Sequence, residues 1–220
     1  MPEAEETTVS VEEPDICTLL GCEISDVAQL AAQILRRTGA YSVLCPACGH
    51  GQCSAYLAHS GFQVTAYDIT EHSISRVARN AALAGVRVDC FVDDVVVPRR
   101  RLRHFDALFS HSVLHQMRAQ QRHALLRSFH RALKQGGVLL VSVLACEDER
   151  YGLGREVEPD TFEFAMGEHL HFYSAGELRD ELSEFFEVAR VEPMQEVQTH
   201  CGLGRQTYRL LVATALKVDR

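Results

Sequence analysis

Apolar and polar positions alternate between two periods along this chain. Over Ile24–Arg37, Val27, Leu30, Ala31, Ile34 and Leu35 fall on one stripe at helical spacing. Ser25 and Asp26 stand where caps belong and Gly39 where a helix stops, so the pattern predicts a helix. The short apolar run Tyr41–Cys45 predicts a buried strand, and Gln52–Ser60 a helix stopped by Gly61. Phe62–Tyr67 predicts the next strand. Thr70–Leu83 predicts a helix carrying Ile74, Val77, Ala78 and Ala81 on one face and ending at Gly85. Strands follow at Val86–Val92 and Phe105–Ser110, then a helix over Arg118–Leu133, a turn at Gln135-Gly136-Gly137 and a strand at Val138–Leu144. This β-α-β-α rhythm predicts a parallel sheet with helices on both faces.

Beyond residue 145 the rhythm breaks. Residues 146–168 are acidic and glycine-bearing and predict an irregular excursion across the sheet. Ser174 caps a helix reaching about Glu184, with Glu177 as the far half of a capping box. Phe185–Val191 and Tyr208–Leu216 predict two last strands, with residues 192–205 as the hairpin connection. Residues 1–15 are acidic, with few apolar residues, and predict a disordered tail ahead of a single domain over 16–220.

Composition narrows the class. The 220 residues suffice for one α/β domain, and 46% hydrophobic content supplies its core. A formal net charge of -8 argues against a general nucleic-acid partner. No stretch reaches the length of a membrane span, and the amino terminus shows no apolar leader. With eight cysteines, the expectation is a cytoplasmic chain with reduced thiols.

The chemistry concentrates where the first predicted strand meets its helix, in Val43-Leu44-Cys45-Pro46-Ala47-Cys48-Gly49-His50-Gly51. Glycines there let the backbone turn sharply and approach a ligand. The next strand ends on Asp68, an acid able to accept both hydroxyls of a ribose. A dinucleotide fingerprint would need glycines at 47, 49 and 52, where the chain has Ala, Gly and Gln. A nucleoside without a pyrophosphate suits the turn better.

These residues resemble the class I methyltransferases that use S-adenosylmethionine (SAM). Their first motif, roughly V-L-D-x-G-x-G-x-G, is matched at Val43, Leu44, Gly49 and Gly51, with Cys45 in place of the acid and Ala47 in place of the first glycine. The stretches 62–70, 91–95, 105–110 and 133–137 resemble the following motifs in order. The resemblance implies a Rossmann-like, doubly wound seven-stranded sheet, mostly parallel with one antiparallel strand near the carboxyl terminus. It implies SAM as cofactor, held by Cys45, Ala47, Cys48, Gly49, Gly51, Asp68, Ile69, Asp94, Val95 and Ser110, with Asp68 on the ribose, Ile69 against the adenine and Asp94 on its amino group. Asp93 stands beside Asp94 as a competitor for that role. The short chain and its GHG turn look most like the small-molecule and tellurite-resistance-type group.

Methyl transfer needs a base only when the acceptor arrives protonated. His111 and His115 follow the fourth predicted strand, where an open α/β sheet binds its ligands, and are the catalytic candidates. His169, His171 and Tyr173 lie on the excursion and are candidates for the acceptor pocket; each histidine also has an ordinary polar or capping role open to it. Cys45, Cys48, Cys53 and His50 lack the second half of a zinc motif, so no metal is expected. The basic run Arg99–Arg103 reads as a solvated loop. The expected acceptor is a small molecule. A SAM-binding protein without transferase activity, and an RNA or protein methyltransferase, are the alternatives; the oligomeric state is left open.

Overall fold

The computed structural model describes residues 16–21, 23–102, 104–200 and 204–218. The expected disorder of residues 1–15 and the last arginine of the basic run lie outside them. A short helix α1 (Ile16–Leu20) precedes α2 (Asp26–Thr38), whose Ser25 cap accepts the Ala28 N–H at 3.2 Å. Then come β1 (Ser42–Pro46), α3 (Gln52–His59), β2 (Gln63–Asp68), α4 (Glu71–Leu83), β3 (Val88–Val92) and β4 (Phe105–His111). α5 (Ala119–Ala132) leads straight into β5 (Leu133–Leu144). Three short strands, β6 (Arg155–Glu158), β7 (Thr161–Glu163) and β8 (His169–His171), precede α6 (Ala175–Ser183) and the hairpin β9 (Glu187–His200) and β10 (Gly204–Leu216).

The main sheet has seven strands in the order β3-β2-β1-β4-β5-β10-β9. β1 pairs in parallel with both β2 and β4, and β10 runs antiparallel to both its neighbours. This is the Rossmann-like sheet with one reversed strand. Alternate residues of the central strands feed two cores. Val43, Cys45, Ala107 and Phe109 pack toward α2 and α3, while Leu44, Leu108, Leu139 and Val141 pack with Leu125 and Phe129 of α5 and Leu178 of α6. Burying one such aliphatic side chain contributes about 2 kcal/mol. The foot of the sheet is tied by Asp106, which accepts the Tyr41 and Ser42 amides at 3.1 and 2.8 Å and the Lys134 ammonium at 2.6 Å.

Three expectations are corrected. The turn at Gln135-Gly136-Gly137 is a bulge inside β5, where Phe105 pairs with Leu133 but Ala107 with Val138. Gly136 and Lys217 close it with a backbone bond of 2.8 Å. The excursion 146–168 is not irregular throughout, because β6, β7 and β8 form a small antiparallel sheet. The hairpin connection 192–205 is largely strand. β9 and β10 pair from Glu187↔Leu216 to His200↔Gly204, with one register shift between Thr214 and Ala215, well past the stretch of β10 that pairs with β5. Pro193 is tolerated because β9 is the sheet edge. At α6, Ser174 accepts the Glu177 N–H at 3.1 Å, but the Glu177 carboxylate turns to His171, so only half of the box forms. No helix among the described residues is long and apolar enough to cross a membrane.

Candidate active site

Strand order reverses between β1 and β4, and ligands of open α/β sheets bind beyond the carboxyl ends of the strands at such a point. After β1 the chain folds back onto β2 through a bond of 3.1 Å from the Cys48 N–H to the Tyr67 carbonyl. Ala47 holds φ 46°, left-handed backbone that an L-residue enters at a cost of about 1 kcal/mol. It keeps the conformation that the glycine of the resembling motif would adopt freely. Gly49, at φ 51°, has open space where a side chain would stand. Gly51 differs: a Cβ there would meet the Val77 Cα at 2.7 Å, so it serves the close packing of α3 on α4.

The Cys45 side chain turns away from this turn. It belongs to the core beneath α2 and α3, and burial raises its thiol pKa far above the usual range, opposed by the Ser54 hydroxyl. Cys48 is half-buried, and burial followed by the Asp68 charge pushes it up to about 12, so neither thiol is an ionised ligand at neutral pH. Among the described residues no group of three or more His, Cys, Asp or Glu is arranged to hold a metal.

Asp68, at the tip of β2, accepts the Gly49 N–H on Oδ2 at 3.0 Å and the Thr70 N–H on Oδ1 at 3.1 Å. The carboxylate thus fastens the glycine turn to the strand beside it. Ile69 follows with 65% of its surface exposed, an apolar face next to a carboxylate. The two candidates after β3 have different surroundings. Asp93 is buried and accepts the backbone N–H of Asp94, Arg99 and Arg100 at 2.9, 2.9 and 3.1 Å. Burial pushes its pKa up, but these bonds outweigh it and hold the carboxyl below the usual range. Asp93 therefore builds the loop. Asp94 is half-buried and spends Oδ1 on the Val96 and Val97 amides at 2.7 and 3.2 Å. Val95 packs inward with 8% exposure. Asp93 also organises the basic run: the Arg99 and Arg100 amides bind it, and the Arg100 guanidinium lies 4.0 Å from the Phe91 ring centre.

At the end of β4, the Ser110 hydroxyl is buried with no hydrogen-bond partner among the described residues. Ser112 turns the chain at φ 57°, another left-handed non-glycine beside the switch point. His111 lies opposite Ser142 in the β4–β5 register, and its Nδ1 is 2.6 Å from the Ser142 hydroxyl. Its Nε2 is 3.6 Å from Glu196 Oε2. Burial lowers the His111 pKa and the Glu196 charge opposes that shift. Glu196 is 1% exposed, accepts the Ser25 hydroxyl at the head of α2, and takes a bond of 2.6 Å from the Gln198 amide.

His115 has a different task. Leu144 lies beyond the last β4–β5 pair, and its N–H is accepted by His115 Nδ1 at 3.2 Å. Burial first, and the Arg150 charge second, lower its pKa to about 3, so it is neutral at physiological pH. His171 is buried with Nδ1 2.9 Å from the Thr161 hydroxyl, and its Nε2 is 3.0 Å from Glu177 but off the donor line. Tyr173 is fully buried and donates to Glu181 at 2.8 Å, and Glu181 also takes the Arg122 Nε at 3.1 Å. Tyr173 thus lies in the core, joining α5 to α6. His169 is half-buried against the Arg118 guanidinium at 2.9 Å. The sequence reading missed Glu196 and Ser142. Glu196 lies in phase with Met194 on the core-facing side of β9, a signal that exists only once 192–200 is known to be strand.

Residues 43–137 match the family model described as a methyltransferase domain. An uncharacterised methyltransferase of Synechocystis is 30% identical over 110 residues, 50% of this chain and 50% of that protein. The match thus spans half the length of that curated relative. A SAM-dependent methyltransferase from Methanosarcina mazei superposes with a TM-score of 0.72 at 20% identity, covering 85% of this chain and 98% of that one. The 1,6-didemethyltoxoflavin N1-methyltransferase of Burkholderia thailandensis, solved with that compound and S-adenosylhomocysteine, gives 0.68 at 23% identity over 88% and 79%. Motif order, sheet topology and family match point the same way: residues 43–137 are similar to a methyltransferase domain, within a fold shared with solved SAM-dependent methyltransferases.

Proposed function

We propose that this chain is a SAM-dependent methyltransferase acting on a small-molecule acceptor. The observation that carries the reading is the Asp68 carboxylate, bonded to the Gly49 amide at the switch point and flanked by exposed Ile69. The residues fit an adenosyl sulfonium. Asp68 offers acceptor oxygens to a ribose, Ile69 an apolar wall to the purine, and Asp94 an acceptor beside it. Gly49 leaves room for close backbone approach, and the buried Ser110 hydroxyl has an unused bond to give. When bound, SAM supplies an electrophilic methyl group. The chain's part is to align the acceptor, exclude water and receive any proton the acceptor sheds.

His111 is the group best placed for that last task, at the carboxyl end of β4. His115 is less suited, because its Nδ1 already serves the Leu144 amide. Cys45 offers no carboxylate to the methionine end of the cofactor, so the Gly49 turn and neighbouring backbone carry that contact. A small acceptor is supported by the didemethyltoxoflavin bound in the Burkholderia relative and by the acidic balance of this chain.

Calorimetry with S-adenosylhomocysteine, followed by turnover of labelled SAM over an acceptor panel, tests the proposal. Binding with turnover supports it. Binding without turnover over a broad panel favours a SAM-binding module, and no binding removes both readings.

A further inference from the structure

We propose that Glu196 is a positioning residue that makes His111 the proton acceptor of the site, and that the acceptor substrate is a protic nucleophile bearing O–H or N–H. This deepens the proposed methyltransferase reading and rests on it. Three observations carry it. First, Glu196 is a carboxylate buried to 1% exposure on a strand whose neighbouring Gln195 and Val197 face the other way. Burying a charge is costly unless it is paired, so its place needs a reason. Second, it is paired: the Ser25 hydroxyl and the Gln198 amide donate to it, and Ser25 heads the 13-residue helix α2, whose amino end favours negative charge. Third, the carboxylate faces His111 Nε2 across 3.6 Å, longer than a hydrogen bond.

Ser142 fixes the ring. Its hydroxyl oxygen has two acceptor positions: one takes the Ser112 N–H at 3.1 Å, and the other takes the His111 Nδ1–H at 2.6 Å, which leaves Nε2 unprotonated in the neutral ring. Nε2 is then the nitrogen that exchanges a proton with the site. In the transfer, the acceptor X–H bond breaks, its proton passes to the unprotonated Nε2 of neutral His111, and the freed electron pair on X is the nucleophile. The imidazolium formed is stabilised by the Glu196 carboxylate beside it. A thiolate or an oxyanion would need no such pair. The other titratable groups nearby are His115, from the turn after β4, and through it Arg150, Asp148 and His171.

Nitrogen-edited NMR of labelled histidines in the full chain reads the His111 midpoint without any acceptor. Glu196→Gln keeps the side-chain shape and should lower the His111 midpoint by about one unit or more, a tenfold loss of proton affinity. Where that variant does not fold, Glu196→Asp, which withdraws the charge, should move the midpoint the same way by less. A midpoint unmoved by either change overturns the inference. With SAM supplied, a phenol and its thiophenol analogue form the second arm. Methylation of the phenol, lost in His111→Asn, supports the acceptor class, and methylation of the thiophenol alone, unaffected by His111→Asn, overturns it. If neither reacts, the midpoint decides. Binding of S-adenosylhomocysteine to the same proteins keeps the two readings apart. Absent binding fails the methyltransferase proposal, whereas intact binding with an unmoved midpoint fails this inference alone.

Discussion

Single residues carry most of the chemistry, and several do so against their local preference. Ala47 holds a left-handed backbone without being glycine. Ala47→Gly should raise stability, by up to about 1 kcal/mol less whatever the freer unfolded chain takes back, as read by urea unfolding. His115 gives a pH signature. Its folded pKa, near 3, is depressed below the ordinary histidine value. A depressed histidine adds stability that is fully present above the unfolded pKa, near 6.5, and is lost as pH falls below it. This group should therefore remove about 1.4 kcal/mol of unfolding free energy between about pH 7.5 and pH 5.5. His115→Asn, which keeps an acceptor for Leu144, should flatten that slope; an unchanged slope would assign the depressed pKa elsewhere. Asp68 was legible because a strand, a glycine turn and a second strand fix its distance along the chain. Asp93 and Asp94 could not be separated that way, since the difference lies in which carboxylate folds back onto the Arg99 and Arg100 amides.

Elements were legible where one period dominates. α2 and α4 show their stripes plainly, and the Ser25 and Thr70 caps form as their side chains suggest. The errors fall where burial and polarity part company. Residues 192–200 read as a connection because Glu192, Pro193, Gln195, Glu196 and Gln198 dilute the apolar alternation, yet the edge strand pairs throughout with β10. The tertiary partner decided that element, not its propensity. Tertiary partners also decide the surroundings of the segment 169–173. Its His-Leu-His-Phe-Tyr composition suggests a ligand surface, but β8 pairs with β7 and Tyr173 enters the core. Tyr173→Phe leaves Glu181 with the Arg122 bond but one donor fewer. It should cost about 1–2 kcal/mol of stability while leaving S-adenosylhomocysteine affinity unchanged. A large loss of affinity with stability intact would place Tyr173 at the pocket.

At the scale of the molecule, the order β3-β2-β1-β4-β5-β10-β9 brings two distant sequence features to one edge. The glycine turn after β1 and His111 at the end of β4 share one edge because β1 and β4 are parallel neighbours, as the motif order implied. Extension of the β9–β10 hairpin past its pairing with β5 then brings Glu196 to His111 and Ser25, which no local pattern foretold. A fold of this kind hosts many chemistries, so the site, not the sheet, must carry the assignment. The most direct test is calorimetry with S-adenosylhomocysteine on the wild type and on Asp68→Asn. The account predicts saturable binding to the wild type and at least about tenfold weaker binding to the variant, equivalent to about 1.4 kcal/mol. No binding to the wild type, or equal affinity for both proteins, would contradict it.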